Sequence, residues 1–305
     1  MFRNLTMFRF PPSCADALAG LAHTLEVEPT LMLREPGPMD LATRGFVPVI
    51  SDDVVMHVGQ YLLFAIGTRE RLLPASVVNR ALQERLTKIT ETEGRRVGSK
   101  ERKRLREEVI TDLMPRAFIE HRFTRAYVDI AAGWLVIDTA SRRIADDVVA
   151  QIREALGRFP AQPMAPQESP RAILTDWLVS DQPLPDGFGL GSECELRDPA
   201  EGGGKWSGRR VDLEGDDVRE HLGAGMQAFA LGLEFDDRIG FVLTEDLALR
   251  KFQTFDVVFE QHDMVQHESA NAELQARLAL LAGEVGNLQT RLSSIFGLSR
   301  PEDRA

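Results

Sequence analysis

The sequence predicts an α+β fold in which mostly antiparallel strands mix with helices. Its 305 residues are 43% hydrophobic and 27% charged, the balance of a globular protein with a large core, which excludes disordered and collagen-like classes. Strand-like and helical periods mix without the regular βαβ rhythm of a parallel sheet. At roughly 100 to 200 residues per domain, the length indicates two domains, or one domain with a large insertion.

The first 70 residues show both periods. Leucines at helical spacing predict a helix over residues 14–25. Apolar residues that alternate with polar ones, or that form short runs, predict strands at residues 4–10, 45–50 and 61–68.

A pair of helices should follow as an αα-hairpin. Pro74 stands where a first-turn proline belongs, and apolar residues at i+3 and i+4 steps predict a helix to about Glu93. Two glycines then break the pattern. Ser99 is a candidate N-cap for a second helix, which should stop before Pro115.

Two apolar runs, at residues 124–130 and 134–139, are separated by Ala-Ala-Gly and predict a β-hairpin. Ser141 should cap an amphipathic helix that ends near Leu156. Residues 157–170 contain four prolines and little periodicity, so we place the domain boundary there.

The second half repeats the mixture of helices and strands. Helices are predicted at residues 170–180, 216–222 and 261–296. Strands are predicted at residues 194–197, 205–213, 226–235, 239–244 and 248–255.

The charge is unevenly distributed. The chain carries 36 basic and 47 acidic residues, net −11, which taken alone argues against nucleic acid and anionic membranes as partners. Residues 69–125, however, hold 15 basic and 9 acidic residues, and residues 95–106 hold seven cations beside one acid, Glu101. Two interpretations of this connection are open. It is either a solvent-exposed surface with ion pairs such as Arg104 with Glu108, or a tip that contacts phosphates.

No enzyme motif is complete. The run Gly202-Gly203-Gly204-Lys205 lacks the remaining residues of a phosphate loop and indicates a turn. His262 and His267 lack the spacing of a zinc-protease helix, and the paired acids Asp52-Asp53, Asp146-Asp147 and Asp216-Asp217 fit turns and helix starts. We therefore expect no catalytic residue, no metal site and no cofactor.

The cysteines and the N-terminus bear on the compartment. Only Cys14 and Cys194 are present, and neither has metal-ligand spacing around it, so we expect buried, reduced thiols. Residues 1–12 lack the apolar stretch of a signal peptide, and no window approaches a membrane span. These features predict a cytoplasmic protein.

Several specific segments, in one order along nearly the whole chain, resemble the recombination-associated RdgC family. They are Phe2-Arg3-Asn4-Leu5, Gly45-Phe46-Val47-Pro48, Leu72-Leu73-Pro74, Leu113-Met114-Pro115-Arg116-Ala117-Phe118, Trp134 to Asp138, Leu174-Thr175-Asp176-Trp177, Arg209-Arg210 and Asp212-Leu213.

The resemblance implies a nucleoid-associated bacterial protein that is not an enzyme. It implies binding of double-stranded DNA without sequence preference and restraint of the RecA recombinase. The implied architecture is a bent, horseshoe-like subunit that forms a ring-shaped homodimer around the duplex. On that plan, residues 1–71 plus 123–158 form a central α+β region, residues 72–122 a helical-hairpin tip, and residues 168–305 a second α+β region with a long C-terminal helix.

Carried over position by position, the resemblance implies a set of functional residues. Phe118 is expected near the gate of the ring. The alternative is that Phe118 is buried in the hydrophobic core. Arg209 and Arg210 match a basic pair of the family, although Val211 replaces a polar residue beside them. The alternative is that the two arginines are charges on an edge strand that prevent it from pairing with another chain. With Arg96 and Lys100 added from the basic connection of the αα-hairpin, the expected DNA-binding residues are Arg71, Arg95, Arg96, Lys100, Arg116, Arg209 and Arg210.

Two rival functions stay open. A protein-interaction scaffold, in which the basic hairpin docks an acidic partner, predicts negligible affinity for duplex DNA at low salt. An enzyme with an unrecognised site would need a cleft of perturbed acids.

Overall fold

The computed structural model describes residues 2–180, 182–200, 202–258 and 269–302. Within them the chain forms eight α-helices, and its strands join one sheet in the order β2-β4-β5-β6-β1-β12-β11-β10-β8-β9, with β3 on β4 and β7 on β1. The registered strand pairs are antiparallel, so the predicted α+β class is confirmed.

The bounds of the elements are as follows. The strands are β1 Leu5–Arg9, β2 Ala42–Val47, β3 Val55–Val58, β4 Tyr61–Leu72, β5 Phe118–Asp129, β6 Trp134–Asp138, β7 Gln162–Pro163, β8 Phe188–Arg197, β9 Lys205–Arg209, β10 Gln227–Phe235, β11 Ile239–Thr244 and β12 Leu249–Thr254. The helices are α1 Ala15–Ala19, α2 Leu21–Val27, α3 Ala75–Glu93, α4 Ser99–Leu113, α5 Arg142–Leu156, α6 Pro170–Val179, α7 Asp216–Gly223 and α8 Ala270–Phe296.

Internal contacts divide the chain into two compact units. The hairpin unit comprises Glu28–Val47 and Ile66–Phe123, and the large unit comprises Met1–Val27, Pro48–Ala65 and Thr124–Ala305. The proline-rich residues 157–170 lie inside the large unit, so the division does not fall there.

In the large unit, β1 is buried on both of its faces. Met7 and Phe8 are each 2% exposed, and successive strand residues point to opposite faces. Met7 accepts a hydrogen bond at 3.4 Å from Gln289 of α8, whereas the Phe8 ring lies 4.8 Å from the guanidinium of Arg142 at the start of α5. Helices therefore cover this part of the sheet on both sides.

Strands β8 and β10 are covered on one face only. Leu196, Leu231 and Leu233 are buried in the same apolar cluster as Leu174 of α6 and Val285 of α8. On β8, the neighbours Glu195 and Arg197 are charged and only partly buried, and on β10 Glu234, next to Leu233, is exposed. The outer face of this part of the sheet is thus a polar surface, which we call the open face.

The hairpin unit owes its shape to α3 and α4. Val78 and Leu82 of α3 and Val109 of α4 are each 2–3% exposed and supply its apolar contact. Arg85 of α3 pairs with Asp112 and lies 3.8 Å from Glu108, both on α4. Gly94 ends α3 in the left-handed conformation (φ 63°), where a residue without Cβ is favoured.

Most predicted elements are confirmed, but two helix starts are corrected. Pro74 is the N-cap of α3 rather than its first-turn residue, because its extended backbone leaves its carbonyl to accept from Val77 and Val78. Gly98, not Ser99, caps α4: its backbone is extended, its carbonyl accepts from Arg102, and no side chain caps this end.

Other boundaries also differ. The single helix expected at residues 14–25 is two helices, because Gly20, a poor helix former, caps the end of α1. Helix α8 begins at Ala270, where the Ser269 hydroxyl accepts from the Ala272 amide as an N-cap. The part of the predicted helix at residues 261–268 lies outside the described residues. Strand β9 ends at Arg209 because Arg210 has φ 56°.

Candidate nucleic-acid interface

Four cations at the turn from α3 into α4 have no partner among the described residues: Arg96 lies in the connection, and Lys100, Arg102 and Lys103 lie in the first turns of α4. The side chains of Arg96, Lys100, Arg102 and Lys103 are exposed, and in the part of the chain that the structure describes none of them makes an ion pair or a side-chain hydrogen bond. The expected pair does exist: Arg104 donates to Glu108 at 3.0 Å. Arg106 donates to Asn79 of α3 at 2.8 Å. Some cations in this part of the hairpin therefore have side-chain partners, and others have charges that no described residue neutralises.

Arg95 is held by two carboxylates. Its Nη1 and Nη2 donate to the two oxygens of Glu101, each at 2.7 Å, and its Nε donates to Glu93 at 2.6 Å. The hydrogen bonds to Glu101 and, to a smaller extent, the one to Glu93 raise the pKa of Arg95, and the same guanidinium lowers the pKa of Glu101. Because Glu93 ends α3 and Glu101 opens α4, Arg95 ties the two helices across their connection.

Arg71 is engaged by the backbone. Its guanidinium donates to the carbonyls of Asp40 at 3.2 Å and Met114 at 2.9 Å, and to those of Pro36 and Gly37 at 3.3 and 3.1 Å. The side chain is half-buried. These four bonds favour a structural role in holding the loop before β2 to the end of α4.

Arg116 and Phe118 stand where the hairpin returns to the sheet. Arg116 is exposed in a 3-10 turn, Met114–Arg116, and its side chain has no partner within the described ranges. Phe118 opens β5 with 85% of its surface exposed, which excludes the core alternative. Of the nine large apolar side chains exposed among the described residues, six belong to the hairpin unit: Met39, Leu41, Leu72, Val77, Phe118 and Phe123.

Arg209 and Arg210 lie at the end of β9, the edge strand of the large unit. Both side chains are exposed and neither has a partner among the described residues. The positive φ of Arg210 turns the chain out of the strand. An edge position also suits charges that prevent strand pairing with another chain, so DNA binding and edge protection both remain as interpretations.

Arg250 and Lys251 are cations that sequence reasoning missed. They share a cavity of about 150 Å³ with Arg209 on the open face. Sequence separation hid them, since the cavity joins β8 and β9 to β12. The only available signal was the alternation Lys205, Ser207, Arg209, which places three polar side chains on one face of β9.

The motifs that the sequence discounted have ordinary surroundings. The Gly203 amide donates to the Ala200 carbonyl and Gly204 accepts from Asp198, which makes this segment a turn between β8 and β9. His262 and His267 lie outside the described residues. Among the residues described, no three His, Cys, Asp or Glu side chains are grouped to hold a metal ion, and no helix is long and apolar enough to cross a membrane.

Comparison with known proteins identifies the family. A family model described as "Putative exonuclease, RdgC" matches residues 1–299. The chain belongs to the RdgC family. Three relatives that carry the name "Recombination-associated protein RdgC" cover 99% of this chain and 99% of their own length, so the family resemblance stated from the sequence is confirmed. They come from Xanthomonas campestris pv. campestris (39% identical), Xanthomonas axonopodis pv. citri (38%) and Stenotrophomonas maltophilia (35%).

Proposed function

We propose that this RdgC protein binds double-stranded DNA without sequence preference and acts in recombination. The recombination role is supported by the names of the relatives. The DNA-binding role is supported above all by one observation: Arg96, Lys100, Arg102 and Lys103 are four uncompensated cations within eight positions of a protein with net charge −11. Backbone phosphates would supply the missing anions.

The mechanism requires no reading of bases. Lys and Arg side chains that bind phosphate oxygens release condensed counterions, so affinity falls steeply with salt and hardly depends on sequence. If the four hairpin cations neutralise four phosphates, they contribute about −3.6 to the slope of log K against log salt, at roughly 0.9 per phosphate. Arg116, Arg209 and Arg210 would add to this. An acidic surface elsewhere would discourage DNA from binding outside the basic regions.

The proposed assembly is a homodimeric ring around the duplex. Support comes from the exposed large apolar side chains, because six of the nine among the described residues belong to the hairpin unit, and apolar surface left in water commonly marks a protein contact. Phe118 is the most exposed of them and is our candidate gate residue. A closed ring would leave linear DNA by sliding off its ends but would leave closed circular DNA only by opening.

In the cell, such a ring would act as a cytoplasmic, nucleoid-associated restraint on RecA. A duplex that the ring occupies is denied to the recombinase filament. Strand-exchange inhibition that persists when no protein is bound to DNA would contradict this occupancy mechanism and indicate direct contact with RecA.

An exonuclease is the second candidate, favoured only by the description of the family model. It predicts that duplex DNA incubated with the protein and Mg²⁺ or Mn²⁺ releases nucleotides. Intact DNA under conditions of full binding would argue against it.

The test is a titration of closed circular and linear duplex DNA at several salt concentrations. Wild type is compared with R96Q/K100Q/R102Q/K103Q and with R143Q/R153Q/R158Q/R291Q, which removes four exposed cations of the large unit. We expect steep salt dependence in wild type and in the control, and a slope smaller by about 3.6 in the hairpin variant. Negligible affinity of wild type at low salt would overturn the proposal in favour of the scaffold alternative.

A further inference from the structure

The open face of the large unit carries charge opposite to that of the unit as a whole. The unit has 20 basic and 35 acidic residues, net −15. Burial alternates along the end of β8 and along β9, so that their charged residues point outward while Cys194 and Leu196 point into the core. In β12 the consecutive residues Arg250 and Lys251 both line a cavity of this face, and Lys251 has a positive φ of 51°. The outward charges on β8, β9, β10 and β12 are five cations and three carboxylates: Arg197, Lys205, Arg209, Arg250 and Lys251, against Glu193, Glu195 and Glu234.

Two ion pairs cross this face. Arg250 lies 3.6 Å from Glu195, and Lys251 pairs with Glu193. Because β11 and β10 lie between β12 and β8, both cations reach over two strands. Strand β10 approaches β8 closely beneath these pairs, since a Cβ on Gly232 would lie 3.0 Å from the Glu193 carbonyl oxygen.

The cations line a cavity that opens on the surface. Its volume is about 150 Å³, and its polar lining consists of Glu193, Glu195, Ser207, Arg209, Arg250 and Lys251. Arg209 faces Glu193 across the β8–β9 register, yet it has no ion-pair partner among the described residues. The cavity therefore holds one free cation and two cations whose partners are carboxylates of the protein itself.

We propose that this cavity is a second contact for the backbone of duplex DNA, in which phosphates replace Glu193 and Glu195 at Lys251 and Arg250. The inference rests on the proposed DNA-binding function. It adds that two carboxylates of the protein itself compete with the DNA phosphates for these cations. Charge complementarity selects the occupant, because a polyanion matches a net-positive face on an otherwise acidic unit.

The exchange is feasible because the ion pairs are weakly held. The side chains of Arg250 and Lys251 are 43% and 53% exposed, and those of Glu195 and Glu193 are 40% and 30% exposed. Ion pairs this open to solvent contribute little net stability. A phosphodiester offers Arg the same pair of acceptor oxygens as a carboxylate does. The two glutamates would thus keep the cations ordered without DNA and lower the affinity for it.

The first test removes the two cations. Duplex binding is measured against salt for R250Q/K251Q and for R143Q/R153Q, which removes two exposed cations of α5. The proposal predicts a slope smaller in magnitude by about 1.8 for R250Q/K251Q relative to that control. An unchanged slope, in a protein whose hairpin variant has lost affinity, would overturn this second contact and leave the proposed function intact. Absence of duplex binding by wild type would overturn both.

The second test removes the competitors. E193Q/E195Q is compared with E168Q/E220Q, in which two exposed glutamates without side-chain partners among the described residues lose the same charge. We expect E193Q/E195Q to bind duplex several-fold more tightly than the control variant, with a similar thermal midpoint. Equal affinities of the two variants, or a large drop in thermal midpoint for E193Q/E195Q alone, would show that the glutamates are structural and would overturn the competitor role.

Discussion

The two units of this protein use charge in opposite ways. The hairpin unit holds 16 basic and 12 acidic residues, net +4, whereas the large unit is net −15. In the hairpin unit, four cations at the turn from α3 into α4 have no partner among the described residues. On the open face of the large unit, Arg250 and Lys251 are paired with Glu195 and Glu193. Net charge of the whole chain therefore says little about its partners, because the sign that matters is local.

The units also differ in how they treat apolar side chains. The large unit buries a cluster that runs from β1 to α8. The hairpin unit has a thin core and leaves six large apolar side chains exposed. A unit with a small core and several exposed apolar side chains is suited to binding a partner molecule. A unit with a large core is suited to a structural role. The predictions below test this division from the largest expected effect to the smallest.

The hairpin unit should be the fragile one. Leu82 is 3% exposed, and truncation of a buried leucine typically costs about 2–5 kcal/mol. We expect L82A to uncouple unfolding of the hairpin from that of the large unit, so that denaturant unfolding shows two transitions and duplex affinity follows the first. A single transition shifted as a whole would contradict independent cores.

Arg71 should matter for stability and not for DNA. R71K keeps the charge but cannot reproduce the fork that meets four carbonyls, so we expect a loss of about 3 kcal/mol from the hairpin unit in chemical denaturation. At a salt concentration where the variant remains folded, its salt slope should equal that of wild type. A reduced slope with unchanged stability would restore Arg71 as a phosphate contact.

Phe118 should act on association. F118S removes the most exposed apolar side chain, and if it is a central contact of the dimer the association should weaken by about 2 kcal/mol, roughly thirty-fold in Kd. Sedimentation would detect the change, and preferential retention on closed circular DNA should disappear with it. V179S, which changes a residue 62% exposed in the large unit, is the matched control. If F118S and V179S dimerise equally well, the assignment of Phe118 to the gate of the ring is wrong.

The Arg95 clamp should be the subtlest feature. R95Q and E101Q should both raise amide exchange over residues 94–98, whereas R96Q should lower duplex affinity without that change. Since Arg95 depresses the pKa of Glu101, the clamp is present at neutral pH and is lost only as pH falls below the ordinary range of a glutamate. Protection of this segment that disappears between pH 8 and pH 6 would contradict the assignment.

The sequence predicted the elements better than the side-chain partners. Local patterns identified both helices of the αα-hairpin and the strands from β8 to β12, because periodicity and breakers act over a few residues. They could not show that Arg71 meets carbonyls at positions 36, 37, 40 and 114, or that Arg95 is neutralised, since both depend on packing. The set of DNA-binding residues predicted from the sequence likewise held Arg71, Arg95 and Arg96 together. Only the structure separates the two guanidiniums that have partners from that of Arg96, which has none among the described residues.

Lysine footprinting would test the central claim most directly. The chain has five lysines, at positions 88, 100, 103, 205 and 251, so acetylation with and without saturating duplex DNA, followed by mass spectrometry, surveys both units in one experiment. We predict that DNA protects Lys100 and Lys103 strongly and leaves Lys88 unchanged. Equal labelling of Lys100 and Lys103 in the presence and absence of bound DNA would contradict the account.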